Sequence, residues 1–195
     1  MEFKSCSVDI MNRNSLKVLA VSGSPRAESN TDKIIESVLK GAEDAGHETE
    51  FIKLNALNFS PCQACDDCRT EPGKRCKLND DGVEVLRKTE ECDVLIFGSP
   101  IYMGGISAQA KAYIDRWYSF KDKNRISELE GDRKVLGVYA QGAKDGTYYR
   151  LFETNERLFN SNNFAYLGTL VTPDYEVPEK GSDLLKKAFS IGLNF

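Results

Sequence analysis

Apolar residues in this chain are spaced in two alternating ways. LKVLAVSGS (16–24), CDVLIFGSP (92–100), RKVLGVYAQG (133–142) and FAYLGTLVT (164–172) hold near-continuous apolar runs that end in small or polar residues. Such runs predict short strands buried on both faces. ETEFIKL (48–54) is more polar and predicts a strand at a sheet edge. Between these lie segments of helical period. Ile34, Ile35, Val38, Leu39, Ala42 and Ala45 share one face, with Asn30 or Thr31 as the expected cap and Gly46 as the stop. DDGVEVLRKTEE (80–91) predicts a helix opened by Asp80 and Asp81. Ala110, Tyr113, Ile114 and Trp117 predict another. Tyr148, Leu151, Phe152, Asn155, Leu158 and Phe159 mark a fourth, and SDLLKKAFSIG (182–192) the last. Residues 1–15 are polar and aperiodic, an expected loose arm before one domain spanning 16–195.

Strands alternating with helices imply a parallel sheet covered on both faces. Five strands in this order fit an α/β flavodoxin-like doubly wound sheet of order 2-1-3-4-5. Ligands of such sheets bind beyond the carboxyl ends of the strands, beside strands 1 and 3. Three loops therefore carry the candidate chemistry.

The loop after strand 1, SGSPRAESNT, offers Ser22, Ser24, Arg26, Ser29, Asn30 and Thr31 at a helix N-terminus. Backbone N–H groups and the helix dipole favour an anion there. No lysine is placed for a triphosphate, so a terminal monophosphate is the expected guest. A Ser/Pro turn that merely caps a helix has the same composition. After strand 3, Pro100, Ile101, Tyr102, Met103, Gly104 and Gly105 present flat, polarizable or small surface. Such a loop suits a planar heteroaromatic, or else packs into the core. After strand 4, Gln141 and Gly142 lie in another small-residue loop. Jointly these loops describe a site for flavin mononucleotide (FMN), with phosphate in the first and the ring between the other two.

The cysteines add a second element. The chain has six, and Cys62, Cys65, Cys68 and Cys76 fall within PCQACDDCRTEPGKRC (61–76). Their x2, x2 spacing suits iron–sulfur ligation. A structural zinc or redox-active thiols remain alternatives, while the clustering is unlike a disulfide framework. Cys6 and Cys92 stand apart as bystanders, Cys92 at the start of a buried strand.

Bulk properties narrow the partners. The formal net charge is -4 with no basic stripe, which argues against nucleic acid and anionic membranes. No apolar run reaches the roughly 18–20 residues needed to span a bilayer. The N-terminal stretch lacks the apolar centre of a signal peptide, so a cytoplasmic location with reduced thiols is expected. His47 is the single histidine. It reads as a turn residue, and no acid–base or His-rich metal apparatus can be nominated. The reactivity would belong to cofactors.

SGSPRxxSNT, GSPIYMGGISAQAKAYIDR and the intervening cysteines resemble the iron–sulfur flavoprotein family, within the wider NADPH-dependent FMN reductase group of flavodoxin-like proteins. The resemblance covers roughly residues 16–170. It implies a [4Fe–4S] cluster on Cys62, Cys65, Cys68 and Cys76, in a loop spanning 61–80, and FMN in the three loops. It also implies a homo-oligomer, a dimer or tetramer, in which one subunit's cluster approaches another's flavin. Trp117, Tyr118 and Phe120 are candidates to bury that interface, or to pack within their own domain. The activity so implied is electron transfer from a ferredoxin-like donor through the cluster to FMN. A small acceptor such as a quinone, oxygen or peroxide would then receive the electrons. An NAD(P)H-dependent FMN or quinone reductase without a cluster is the alternative, and a zinc-stabilised protein-binding module the non-enzymatic one.

Overall fold

A computed structural model describes residues 15–172 and 177–195. The expected N-terminal arm and Cys6 lie outside the described residues, apart from the arm's last residue, Ser15. The chain forms β1 (Lys17–Ser22), α1 (Asn30–Asp44), β2 (Glu48–Lys53), α2 (Asp81–Glu91), β3 (Val94–Tyr102) and β4 (Gly105–Ile106). Then follow α3 (Ala108–Arg116), β5 (Arg133–Ala140), α4 (Tyr149–Asn160), β6 (Phe164–Thr172) and α5 (Asp183–Leu193). The strand order is β2-β1-β3-β5-β6, all parallel. This is the expected flavodoxin-like order, with β2 at the edge as its polarity predicts.

A sixth, two-residue strand was not expected. β3 runs on past Pro100, and β4 folds back on it antiparallel, pairing Ile101 with Ile106 and Tyr102 with Gly105. The turn between them needs positive φ at Met103 (48°) and Gly104 (81°). Glycine tolerates that conformation freely and methionine does not. Pro100 therefore lies within the strand rather than at its exit.

Alternate strand residues feed two cores. Val18, Ala20, Ile96, Leu136 and Val138 pack with α1 and α5 on one face. Leu19, Val21, Leu95, Phe97, Val135 and Tyr139 pack with residues of α2, α3 and α4 on the other. This explains why the strands read as continuous apolar runs.

Local details differ from the sequence expectations in three places. Ser29, not Asn30 or Thr31, caps α1, its hydroxyl accepting from the Asp32 N–H at 3.0 Å. Cys92 ends α2 instead of opening β3; it is buried, and burial pushes its thiol up to about 12. The α3 pattern gives way at Trp117 to a 3-10 turn, Trp117–Phe120. Trp117 and Phe120 are buried in the chain's own core, where Trp117 contacts Tyr113, Phe120, Phe159 and Phe164. Of the two alternatives, Trp117 and Phe120 take the packing within their own domain, while Tyr118 is half-buried.

Candidate functional site

The carboxyl ends of β1, β3, β5 and β6 open onto a cleft of about 970 Å³. Ser24, Arg26, Ser29, Asn30, Thr31, Pro100, Ile101, Tyr102, Met103, Gln141 and Gly142 line it. These eleven of the fourteen residues singled out for a flavin come from three separate loops. Ser22, Gly104 and Gly105 do not line it. The Ser22 side chain is wholly buried, and its hydroxyl donates to Asp32 Oδ1 at 2.5 Å while accepting from the Ser24 N–H at 3.2 Å. It shapes the loop from inside. Gly104 and Gly105 sit at the turn beside the cleft.

Glu28, Lys33, Ala140, Ala143, Tyr148, Thr172 and Val177 also line the cleft and were not anticipated. Thr172 was within reach of the same rule, because it ends the last strand at the same carboxyl edge. Lys33 lies in the first turn of α1 and brings a cation to the cleft.

Three polar atoms make the cleft chemically specific. Thr31 Oγ1, Gln141 Oε1 and Thr172 Oγ1 are buried without a hydrogen-bond partner among the described residues. Leaving such groups unsatisfied costs about 1–3 kcal/mol each, and all three belong to residues that line this cleft. Gln141 is held in place, its Nε2 donating to the Ala143 and Lys144 carbonyls at 3.2 and 3.1 Å. At the rim, Tyr102 is partly exposed and Met103 fully exposed.

The second site is the cysteine segment between β2 and α2. Cys62, Cys65, Cys68 and Cys76 line one small cavity with Leu78, Arg116 and Tyr118, and none is in a disulfide. Burial pushes the Cys68 thiol up, and its neighbours Cys76, Cys62 and Cys65 add to the shift. Two of the sulfurs receive N–H donors: Cys62 from Ala64 N at 3.5 Å and Cys76 from Arg116 Nη2 at 3.4 Å. Among the described residues, no three His, Cys, Asp or Glu side chains converge closely enough to hold a single metal ion.

Arginines fix this segment to the frame. Arg69 lies over the Tyr118 ring at 4.7 Å and hydrogen-bonds its hydroxyl and the Asp122 and Lys123 carbonyls. Arg75 pairs with Glu90 near the end of α2 and with Glu128. Arg116 is 1% exposed and pairs with Asp80 at 2.5 Å. Burial alone would raise the Asp80 carboxyl, but the Ser60 N–H and the Arg116 guanidinium outweigh it and hold it below the usual range.

Residues 16–178 match the NADPH-dependent FMN reductase family. The chain belongs to that family. It is an FMN-dependent oxidoreductase, and its relatives include an iron–sulfur flavoprotein of Methanocaldococcus jannaschii, 37% identical over 70% of this chain and 69% of that protein. A putative NAD(P)H-dependent FMN-containing oxidoreductase of Bacillus subtilis is 31% identical over 90% of this chain and 100% of its own. Among solved structures, an NAD(P)H:quinone oxidoreductase from Methanothermobacter marburgensis superposes with a TM-score of 0.71. It is 19% identical, covering 92% of this chain and 96% of its own, and so speaks to the fold alone. No helix among the described residues is long and apolar enough to cross a membrane.

Proposed function

We propose that this chain is a cytoplasmic iron–sulfur flavoprotein. It would hold FMN in the cleft and a [4Fe–4S] cluster on Cys62, Cys65, Cys68 and Cys76. It would take electrons from a ferredoxin-like donor and deliver them to a small acceptor such as a quinone, oxygen or peroxide. The observation that carries this reading is the gathering of all four clustered thiols around one cavity in a fold that also opens a flavin-sized cleft. A cluster exchanges single electrons and a flavin can exchange two, so the pair suits a converter between the two kinds of carrier.

The chain's own groups fit both cofactors. The α1 N-terminus, Ser24, Arg26 and the buried Thr31 hydroxyl suit a phosphate. Gln141 Oε1 can accept from polar edges of a flavin, and Thr172 Oγ1 can accept from them or donate to them. The four thiols line one cavity, the N–H donors at Cys62 and Cys76 suit cluster sulfur ligands, and Arg116 would offset thiolate charge. Homo-oligomerisation, as a dimer or tetramer, completes the proposal. In it, a second copy brings its flavin toward this cluster.

Iron, sulfide and flavin per chain in anaerobically purified protein test the reading, together with stopped-flow flavin reduction by reduced ferredoxin. Single Cys→Ala variants at the four positions should lose iron, keep FMN and lose ferredoxin-driven reduction, while Cys92→Ala keeps its iron. Wild-type iron content in the four variants would sink the cluster assignment. The similarity to the Bacillus subtilis oxidoreductase across nearly the whole chain favours a second reading, an NAD(P)H-dependent reductase without a cluster. Full flavin reduction by NADPH in iron-free protein would support that one.

A further inference from the structure

Asp32 lies in the first turn of α1, two residues after Asn30, and is only 3% exposed. A carboxylate there complements the helix dipole. It also stands at the same helix end that the FMN phosphate would use, and two anions at one helix end oppose each other. Lys53, the last residue of β2, answers this charge. Its Nζ lies 2.6 Å from Asp32 Oδ2 and donates to the Ala27 and Arg26 carbonyls at 2.8 and 3.3 Å.

Those two carbonyl bonds orient the loop. In a planar trans peptide the C=O and the following N–H point in opposite directions. Turning the Arg26 and Ala27 carbonyls toward Lys53 therefore turns the Ala27 and Glu28 N–H groups away from it. Successive N–H groups facing one way make an anion-binding concavity. Arg26 and Glu28 line the cleft, whereas Lys53 does not. Lys53 also stands outside every motif, on the polar edge strand.

We propose that Lys53 is a positioning residue for the FMN phosphate. It acts through the loop it holds and the carboxylate it neutralises, without touching the cofactor. This rests on the FMN reading above.

Riboflavin supplies the control, since it shares the ring and ribityl chain of FMN but lacks the phosphate. Kd values for both flavins would be measured by fluorescence quenching on the flavin-stripped full chain, with melting temperatures alongside. Lys53→Met should weaken FMN by about tenfold or more, the scale of one charge-assisted hydrogen bond, and leave riboflavin within about twofold. Asp32→Asn should tighten FMN, a direction that damage to the fold does not produce. The double variant Lys53→Met/Asp32→Asn removes the unpaired buried carboxylate. It keeps the test open if Lys53→Met alone does not fold, and should bind FMN between Lys53→Met and wild type.

Equal losses for FMN and riboflavin in Lys53→Met would overturn the inference, as would Asp32→Asn binding FMN more weakly. Wild-type FMN affinity in all variants overturns the inference and leaves the FMN reading standing. A wild-type chain that binds no FMN removes both.

Discussion

Arg116 and Asp80 show how much single residues can hold in this molecule. The guanidinium is buried, bonded to Asp80 on one side and to the Cys76 sulfur on the other. Breaking a buried ion pair by removing one partner typically costs 3–5 kcal/mol. Arg116→Gln should therefore lower unfolding free energy in urea by about 3 kcal/mol, the lower end because Asp80 is partly solvated. The pH dependence has a definite sign. The folded Asp80 carboxyl titrates below its ordinary value of 3.8. Its contribution is fully present above that value and is lost as pH falls through the lower folded one. Urea midpoints of the iron-free protein should thus drop more steeply for wild type than for Asp80→Asn as pH goes from about 5 to about 2. Parallel curves would remove Asp80 from the account.

At the scale of elements, the tightest contact is that of α1 with α5. A Cβ on Gly41 would lie 2.1 Å from the Phe189 carbonyl oxygen, and one on Gly192 would lie 1.9 Å from the Val38 carbonyl oxygen. Backbone atoms cannot step aside as a side chain would, so each glycine sets the helix separation. Gly192→Ala should destabilise by about 2 kcal/mol or more, as overpacking does. It should also weaken FMN, because α1 lines the cleft and would carry its phosphate end on the proposed reading. Chemical denaturation and a flavin titration check the two effects together. Much at this scale was legible in the sequence. Strands buried on both faces show as apolar runs, and polar β2 announced itself as an edge. The two-residue β4 left no periodicity to read. The helical pattern carries on to Trp117, one residue past α3, because the 3-10 turn keeps that residue in the same core.

For the whole molecule, the two candidate sites rest on different supports. The cleft is built by loops after β1, β3, β5 and β6, and the thiol cavity by a segment tied through Arg69, Arg75 and Arg116. If the proposed cluster is present, removing its iron with a chelator should therefore leave the FMN affinity within about twofold, and a larger loss would mean that the supports are shared. The cleft loops were legible because topology sends strand ends to one edge. Lys53, Arg116 and the inward turn of Ser22 were not. Each depends on which way a side chain points once distant segments meet, and local spacing does not record that.

The cysteine segment leaves β2 at the free margin of the sheet and rejoins the frame at α2. This bears on descent. A strand with one neighbour can acquire a long connection after it without any other strand moving, and can exchange it for a short turn as easily. A lineage could gain or shed its four-cysteine insert while the flavin frame passed on unchanged.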